Sequence, residues 1–452
     1  MKFARAGGTA DRRDADSTPA GTTDGTGTES AGSAGAGGRA GGPATSRRRL
    51  LAGASLAGAG VVAGGLGGYF AAQPGPAQSA STGSGESTAT VPFYGPHQAG
   101  IVTPAQDRLA FGSLNLVDGT SAADLRDLLA EWTAAAAKMT VGKLVGEVTE
   151  ADAPPVDTGE AVGSPVSNLT ITVGYGPSLF DGRFGLAARK PAALADLPPL
   201  PNENLDPGYT GGDLAIQACS DDPLVAFHAV RNLARIGMGT VEHNWLELGF
   251  GRTSTTSTGQ QTPRNLLGFK DGTRNIKAQQ TSLVNDYVWV GGETDQPWLR
   301  GGSYLVARKI RMFIENWDRD YLADQENVIG RSKVTGAPLS GGAEFTEPDF
   351  NASAIPAHAH IRLASHENNG GTRILRRGYS YTDGIDPQEG TLVGGLFFIA
   401  FMKNPGQFVK LQNALAADAL NEYIQHVGSA VFACPPGLTS ASQHWGDGLF
   451  TP

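Results

Sequence analysis

An aspartate held between two glycines is the first feature of this sequence that could do chemistry. The run Gly268-Phe269-Lys270-Asp271-Gly272-Thr273-Arg274-Asn275 confines Asp271 to a tight loop. Glycine tolerates positive φ and lets the backbone come close to a ligand, so such a loop can press its acid against something large and flat. A carboxylate fixed in that way is a candidate for proton transfer. The same letters also suit an ordinary Asp-Gly turn. Histidines at 97, 228, 243, 358, 360, 366, 426 and 444 are the candidate metal ligands, and their spacing singles out none of them. The two cysteines, Cys219 and Cys434, form no CxxC pair, which leaves a zinc site or an iron–sulfur cluster without its ligands.

The elements that must carry these groups follow from hydrophobic period and capping residues. Leu109 to Val117 reads as a strand, and Thr120-Ser121 with Asp124 forms a capping-box arrangement that predicts a helix with Leu125, Leu128, Leu129 and Trp132 on one face. Strands are predicted at Leu169–Tyr175 and Asp213–Ala218, after which Asp222-Pro223 opens a helix with Leu224, Phe227 and Leu233 inward. On that helix His228 reads as a packed core histidine rather than a ligand. A strand over Thr240–Gly249 precedes the Asp271 loop. The order β, α, β, β, α, β is that of a ferredoxin-like α+β unit, and it is expected to repeat. Gly301–Met312 supplies a strand, Asn316–Asn327 helical material, and His358–Leu363 and Thr391–Met402 later strands. Asn404-Pro405 then opens a helix presenting Phe408, Leu411 and Leu415. Residues 182–212 and 334–356 read as long loops. No internal sequence repeat announces the duplication.

Composition divides the chain of 452 residues unevenly. The first ninety residues are dominated by Gly, Ala, Ser and Thr and cannot build a core. Within them Ser46-Arg47-Arg48-Arg49-Leu50-Leu51, ahead of an uncharged stretch, resembles a twin-arginine (Tat) export signal. Leu50–Ala72 approaches the ~20 residues of a membrane span, but more than half of it is Gly and Ala, so no stable span is expected after cleavage between Ala72 and Ala80. The expected layout is a disordered extension and signal over 1–80, an N-terminal half over 91–290 carrying the aspartate loop, and a C-terminal half over 291–452. Without residues 1–80 the chain has 27 basic and 39 acidic residues, a net charge of −12 that argues against nucleic acid as a partner.

Gly-Phe-x-Asp-Gly-Thr-x-Asn resembles the GxxDG signature of the dye-decolorizing peroxidase family of haem enzymes. Further segments resemble the same family: Gly95-Pro96-His97-Gln98-Ala99-Gly100-Ile101, His360-Ile361-Arg362, Arg376-Arg377-Gly378-Tyr379-Ser380-Tyr381 and Leu396-Phe397-Phe398-Ile399-Ala400-Phe401. The resemblance implies two ferredoxin-like halves of the dimeric α+β barrel type and one haem b per chain. It makes His360 the iron ligand, with His358 as runner-up on the same strand face, and assigns Asp271 and Arg376 to the peroxide side. Asp271 would pass a proton between the peroxide oxygens while Arg376 steadies the negative charge. Arg308, Gly272, Thr273 and Asn275 are the further residues assigned to the cofactor, Arg308 as a propionate partner with Arg311, or a plain strand-edge charge, as the alternative. Arg362, Arg373 and Arg377 are expected on a solvated basic face. The implied partners are hydrogen peroxide and bulky organic donors such as dyes or phenols, with Tyr379, Tyr381, Trp317 and Trp445 as candidates for relaying electrons. Within the family the chain looks most like the exported, deferrochelatase-like branch. That branch implies the periplasm, cell envelope or exterior, adds iron-uptake components to the partners, and opens two alternatives to peroxide turnover: haem handling in iron acquisition, or non-catalytic haem binding. Both would leave Asp271 and Arg376 without a task. A homo-oligomer is a further expectation.

Overall fold

The computed structural model describes residues 89–149 and 151–450, so the predicted export signal lies outside the described residues. Its first half contains β1 (Arg108–Leu116), α1 (Ala122–Met139), β2 (Thr170–Tyr175), β3 (Leu214–Ser220), α2 (Pro223–Ile236) and β4 (Val241–Arg252), in the predicted order. The capping box at α1 is formed, with the Ser121 hydroxyl accepting from the Asp124 N–H and the Asp124 carboxylate accepting from the Ser121 N–H. Asp222 accepts from the N–H groups of Leu224 and Val225 and so fixes the phase of α2. That phase turns Val225, Ala229, Val230 and Leu233 inward and leaves Leu224 45% exposed, which corrects the expected inward face. His228 is a core residue, with Nε2 2.8 Å from the buried Asp157.

A connecting helix, α3 (Thr281–Tyr287), leads into the second half. There follow β5 (Ser303–Met312), α4 (Ile314–Trp317), α5 (Leu322–Ile329), α6 (His360–Leu363), the two-residue β6 (Leu375–Arg376), β7 (Tyr379–Ile385), β8 (Leu392–Met402), α7 (Gly406–Ala414) and β9 (Ile424–Cys434). In the first half the strands lie in the order β2-β3-β1-β4, and in the second β7-β8-β5-β9, all antiparallel. Both orders read second, third, first, fourth strand of their own half, so the same plan occurs twice. Two narrow seams, Phe250↔Ser380 with Arg252↔Tyr379 and Tyr175↔Ala433, close the eight strands into a barrel. Its interior is aromatic: Phe111 lies 5.3 Å from both Trp245 and Phe397.

Two readings of the second half change. His358–Leu363 is not a strand. Both edges of β5 are already taken by β8 and β9, and a closed barrel offers no edge to an additional strand. The segment instead makes a single helical turn, with the Ala364 N–H on the His360 carbonyl at 2.9 Å. The strands that complete the second unit are β7 and β9. Cys219 and Cys434 are both buried free thiols. Among the described residues no helix is long and apolar enough to cross a membrane.

Candidate active site

The Asp271 loop owes its shape to its two glycines. Gly268 and Gly272 both have φ near +82°, and a Cβ at Gly272 would stand 2.8 Å from the Ser254 Cα, so backbone packs on backbone there. This places Asp271 in the wall of a cavity of about 270 Å³, measured as the room open to the centre of a water molecule. A single water needs ~10–15 Å³ on that measure, so the cavity is built for a large group.

One Asp271 oxygen, Oδ1, accepts a hydrogen bond from Arg376 Nη1 at 2.6 Å, and Oδ2 lies 3.3 Å from Asn265 Nδ2. Arg376 comes from β6 and meets the aspartate at the cavity, so the structure brings together the two residues predicted for the peroxide side. Three of the eight histidines also line this space: His360, His366 and His426. His426 has Nδ1 facing Arg308 Nε at 3.4 Å and Nε2 against Gln412 at 3.3 Å. Burial, and then the Arg308 charge, push its pKa down to about 3, so it is a neutral wall residue. His366 has Nε2 on Arg373 and Nδ1 3.1 Å from Glu367. Both nitrogens of these two rings are therefore engaged.

His360 differs. Its Nδ1 donates to Asp418 Oδ2 at 2.6 Å, while Nε2 has no hydrogen-bond partner among the described residues. Burial alone would lower its pKa, but the Asp418 carboxylate outweighs this and leaves it raised, and the charges of Asp271 and Arg376 also reach the ring. A free imidazole nitrogen thus faces the cavity that the aspartate–arginine pair borders. Its other nitrogen is oriented by a carboxylate, the arrangement usual for metal-ligating histidine. The runner-up, His358, is exposed and bonds the Ala417 carbonyl at 3.1 Å.

Between these polar groups the cavity is apolar, with Phe269, Ile310, Leu396, Phe398 and Phe408 among its walls. Arg373 also lines it, and the only partner of its guanidinium among the described residues is the His366 ring, whose pKa burial and then Arg373 itself lower. A half-buried cation without a carboxylate fits a ligand that brings its own anions. The set as a whole fits a flat iron macrocycle with carboxylate arms.

The remaining assignments divide. Gly272 lines the cavity; Thr273 also faces Glu344, at 3.4 Å. Asn275 lies in the wall, but its amide is bonded to backbone. The structure does not bring Arg308 to the cavity: it is fully buried, with its guanidinium on Glu203 and Ser429. Arg377 is not solvated but wholly buried, donating to the Thr103 carbonyl and the Gln106 side chain. Sequence reasoning missed Asp418 and the place of Arg373 in the cavity wall. Asp418 had one local signal, an acid capping the short turn that follows it, where it accepts from the Leu420 N–H.

Comparison with known proteins agrees with this geometry. The family model "Dyp-type peroxidase, N-terminal" matches residues 98–251 and "Dyp-type peroxidase, C-terminal" matches 262–439. A deferrochelatase of Yersinia pseudotuberculosis is 37% identical over 419 residues, covering 89% of this chain and 94% of its own. The chain belongs to the Dyp-type peroxidase family. A second relative, the deferrochelatase of Escherichia coli K12, is 36% identical over 369 residues, 79% of this chain and 86% of its own. DtpA of Streptomyces lividans, solved as an oxyferrous complex, superposes with a TM-score of 0.73 at 36% identity, covering 80% of this chain and 97% of DtpA. The Dyp-type peroxidase of Cellulomonas bogoriensis gives 0.73 at 35% identity, covering 82% and 100%. As a Dyp-type peroxidase the protein has the α+β ferredoxin-like fold of its relatives, binds haem, and uses hydrogen peroxide to oxidise donor substrates.

Proposed function

We propose that one haem b binds each chain through His360 Nε2, and that Asp271 and Arg376 act on peroxide in the same cavity. The observation that carries this is the single free imidazole nitrogen in the cavity, facing an ion pair that a mere carrier would not need. Bound haem supplies the iron that takes oxidising equivalents from peroxide and passes them to donors. Asp271 takes the proton from one peroxide oxygen and returns it to the other, and Oδ2 is the atom for that work, because Oδ1 is held by Arg376. Arg376 stabilises the negative charge that develops on the departing oxygen. Asp418 fixes the tautomer and plane of His360, and Arg373 would hold a haem carboxylate in place of Arg308, the residue expected to do so from sequence. Bulky dyes and phenols are the donors in this reading. The halves over 91–290 and 291–452 belong to it too, supported by the repeated strand order.

Relatives named deferrochelatase favour a second reading, in which the same cavity handles haem for iron acquisition alongside iron-uptake components. Export through the twin-arginine route and assembly into homo-oligomers are proposed with it, the first on the Arg47-Arg48 signal. An absorbance spectrum before and after hydrogen peroxide separates the readings. Peroxidase action gives a histidine-ligated Soret band that changes with peroxide and is restored by a donor dye, whereas haem handling gives loss of the iron. His360→Ala should abolish most of the band and His358→Ala should keep it. Full haem retention in His360→Ala transfers the ligand to another residue.

A further inference from the structure

We propose that Asn275 is the positioning residue that sets the Asp271 loop against Arg376, rather than a contact to the cofactor. The inference rests on the peroxide-side roles proposed above. Asn275 is 6% exposed, and its amide is fully occupied by main chain. Nδ2 donates to the carbonyls of Thr255 at 2.9 Å and Arg376 at 2.8 Å, and Oδ1 accepts from the Arg376 N–H at 2.8 Å. The orientation of the amide follows from these partners, since a flipped amide would set oxygen against two carbonyls and nitrogen against an N–H.

By bonding both the N–H and the C=O of one residue, the carboxamide imitates the peptide of a neighbouring strand. Arg376 needs such a stand-in. It belongs to β6, only two residues long, which pairs with β8 on one side alone; the Arg377 N–H goes to Ile399 of β8, and the Arg376 N–H points the other way. The clamp also closes a ring: from Asp271 along four residues to Asn275, across to the Arg376 backbone, and out along the arginine side chain to Asp271 Oδ1 at 2.6 Å. Its third bond seats the loop on residues 253–257, where the Ala278 N–H on Thr256 and Lys277 Nζ on the Thr255 carbonyl assist it. Removing the amide frees the Arg376 Cα from the loop. The proton-transfer pair is then no longer held by covalent geometry and three short bonds, and misplacement of about 1 Å can cost ~10²-fold in rate.

The test is a double-mutant cycle on the haem-loaded full chain, reading the second-order rate of the spectral change with hydrogen peroxide. Asn275→Ala should lower that rate by ~10–100-fold, with haem content and the rate of donor oxidation after peroxide unchanged. In an Asp271→Asn background the same substitution should cost several-fold less than in wild type, because there is no base left to position and only the Arg376 charge remains to be misplaced. Asn275→Asp, which keeps the size and the acceptor but loses both donors, repeats the comparison if Asn275→Ala holds haem poorly. A rate within ~2-fold of wild type in both variants, or an equal loss with and without Asp271, overturns the proposal. Wild-type behaviour of Asp271→Asn alone overturns the underlying reading, and the clamp with it.

Discussion

Asp271 and Arg376 divide one task between a group that can carry a proton and one that cannot. Asp271→Asn keeps the shape and the bond to Arg376 but leaves an amide too weakly basic to take up a proton, so its reaction with peroxide should slow by ~10²–10⁴-fold while haem is retained. Arg376→Leu removes a preorganised charge, which water can replace in part, and should slow the reaction less. Stopped-flow mixing with hydrogen peroxide ranks them: if Asp271→Asn stays within a few-fold of wild type while Arg376→Leu stalls, the arginine carries the step. The aspartate was legible in the sequence because its two glycines lie beside it along the chain. Asp418 was not, because its bond to His360 spans 58 residues and exists only in the fold. Arg308 and Arg377 were misread for a related reason. An arginine on a strand or in the link between two gives no sign of which way it faces until its neighbours are known, and both turn into the protein, where Glu203 and Gln106 receive them.

Elements with a start signal were the readable ones. Ser121 and Asp222 cap their helices as the sequence implies, and strands of alternating or continuous apolar residues fall within a few positions of expectation. What failed was choosing between strand and helix for a short segment, since His358–Leu363 alternates like a strand and only the lack of a free sheet edge decides against it. On β9 the small residues around Gly428 and Ser429 hid a strand that carries His426 into the cavity wall. That histidine has a consequence for acid stability. Burial first, and Arg308 second, hold its folded pKa near 3, below the ordinary value of 6.5. Between those values the unfolded chain binds a proton that the folded chain does not, so this contribution is absent above pH 6.5 and destabilises increasingly as pH falls toward 3. A full proton of difference is worth ~1.4 kcal/mol per pH unit. His426→Gln should therefore flatten the decline in urea stability from pH 6 to pH 4 relative to wild type. Parallel curves would show that His426 does not titrate in that interval.

At the scale of the whole molecule, the repeat is visible in strand order and not in sequence, because a pairing scheme can recur with different residues on it. The site lies beside the segment in which α4, α5, the 334–356 loop and α6 stand where the first unit has the single helix α1. The proposed export signal belongs to this scale too. Arg47 and Arg48 both replaced by Lys should leave the enzyme in the cytoplasm; normal yield outside the membrane would point to another exporter. Inside the folded part, stability and cofactor binding should separate cleanly. Arg308 is fully buried and ties the 182–212 loop to β5 through Glu203, so Arg308→Met strands an acid and should cost about 3–5 kcal/mol. Because Arg308 does not line the cavity, added haem should still raise the melting temperature of that variant as it does wild type. Haem at ~100 times its Kd contributes about 2.7 kcal/mol by mass action. Arg373→Ala should behave in the opposite way, leaving the haem-free melting temperature nearly unchanged while weakening the haem-induced rise. Thermal melts of each variant with and without haem give all four quantities. If Arg308→Met loses the rise and Arg373→Ala keeps it, the carboxylate arms of the cofactor are held where the sequence first suggested.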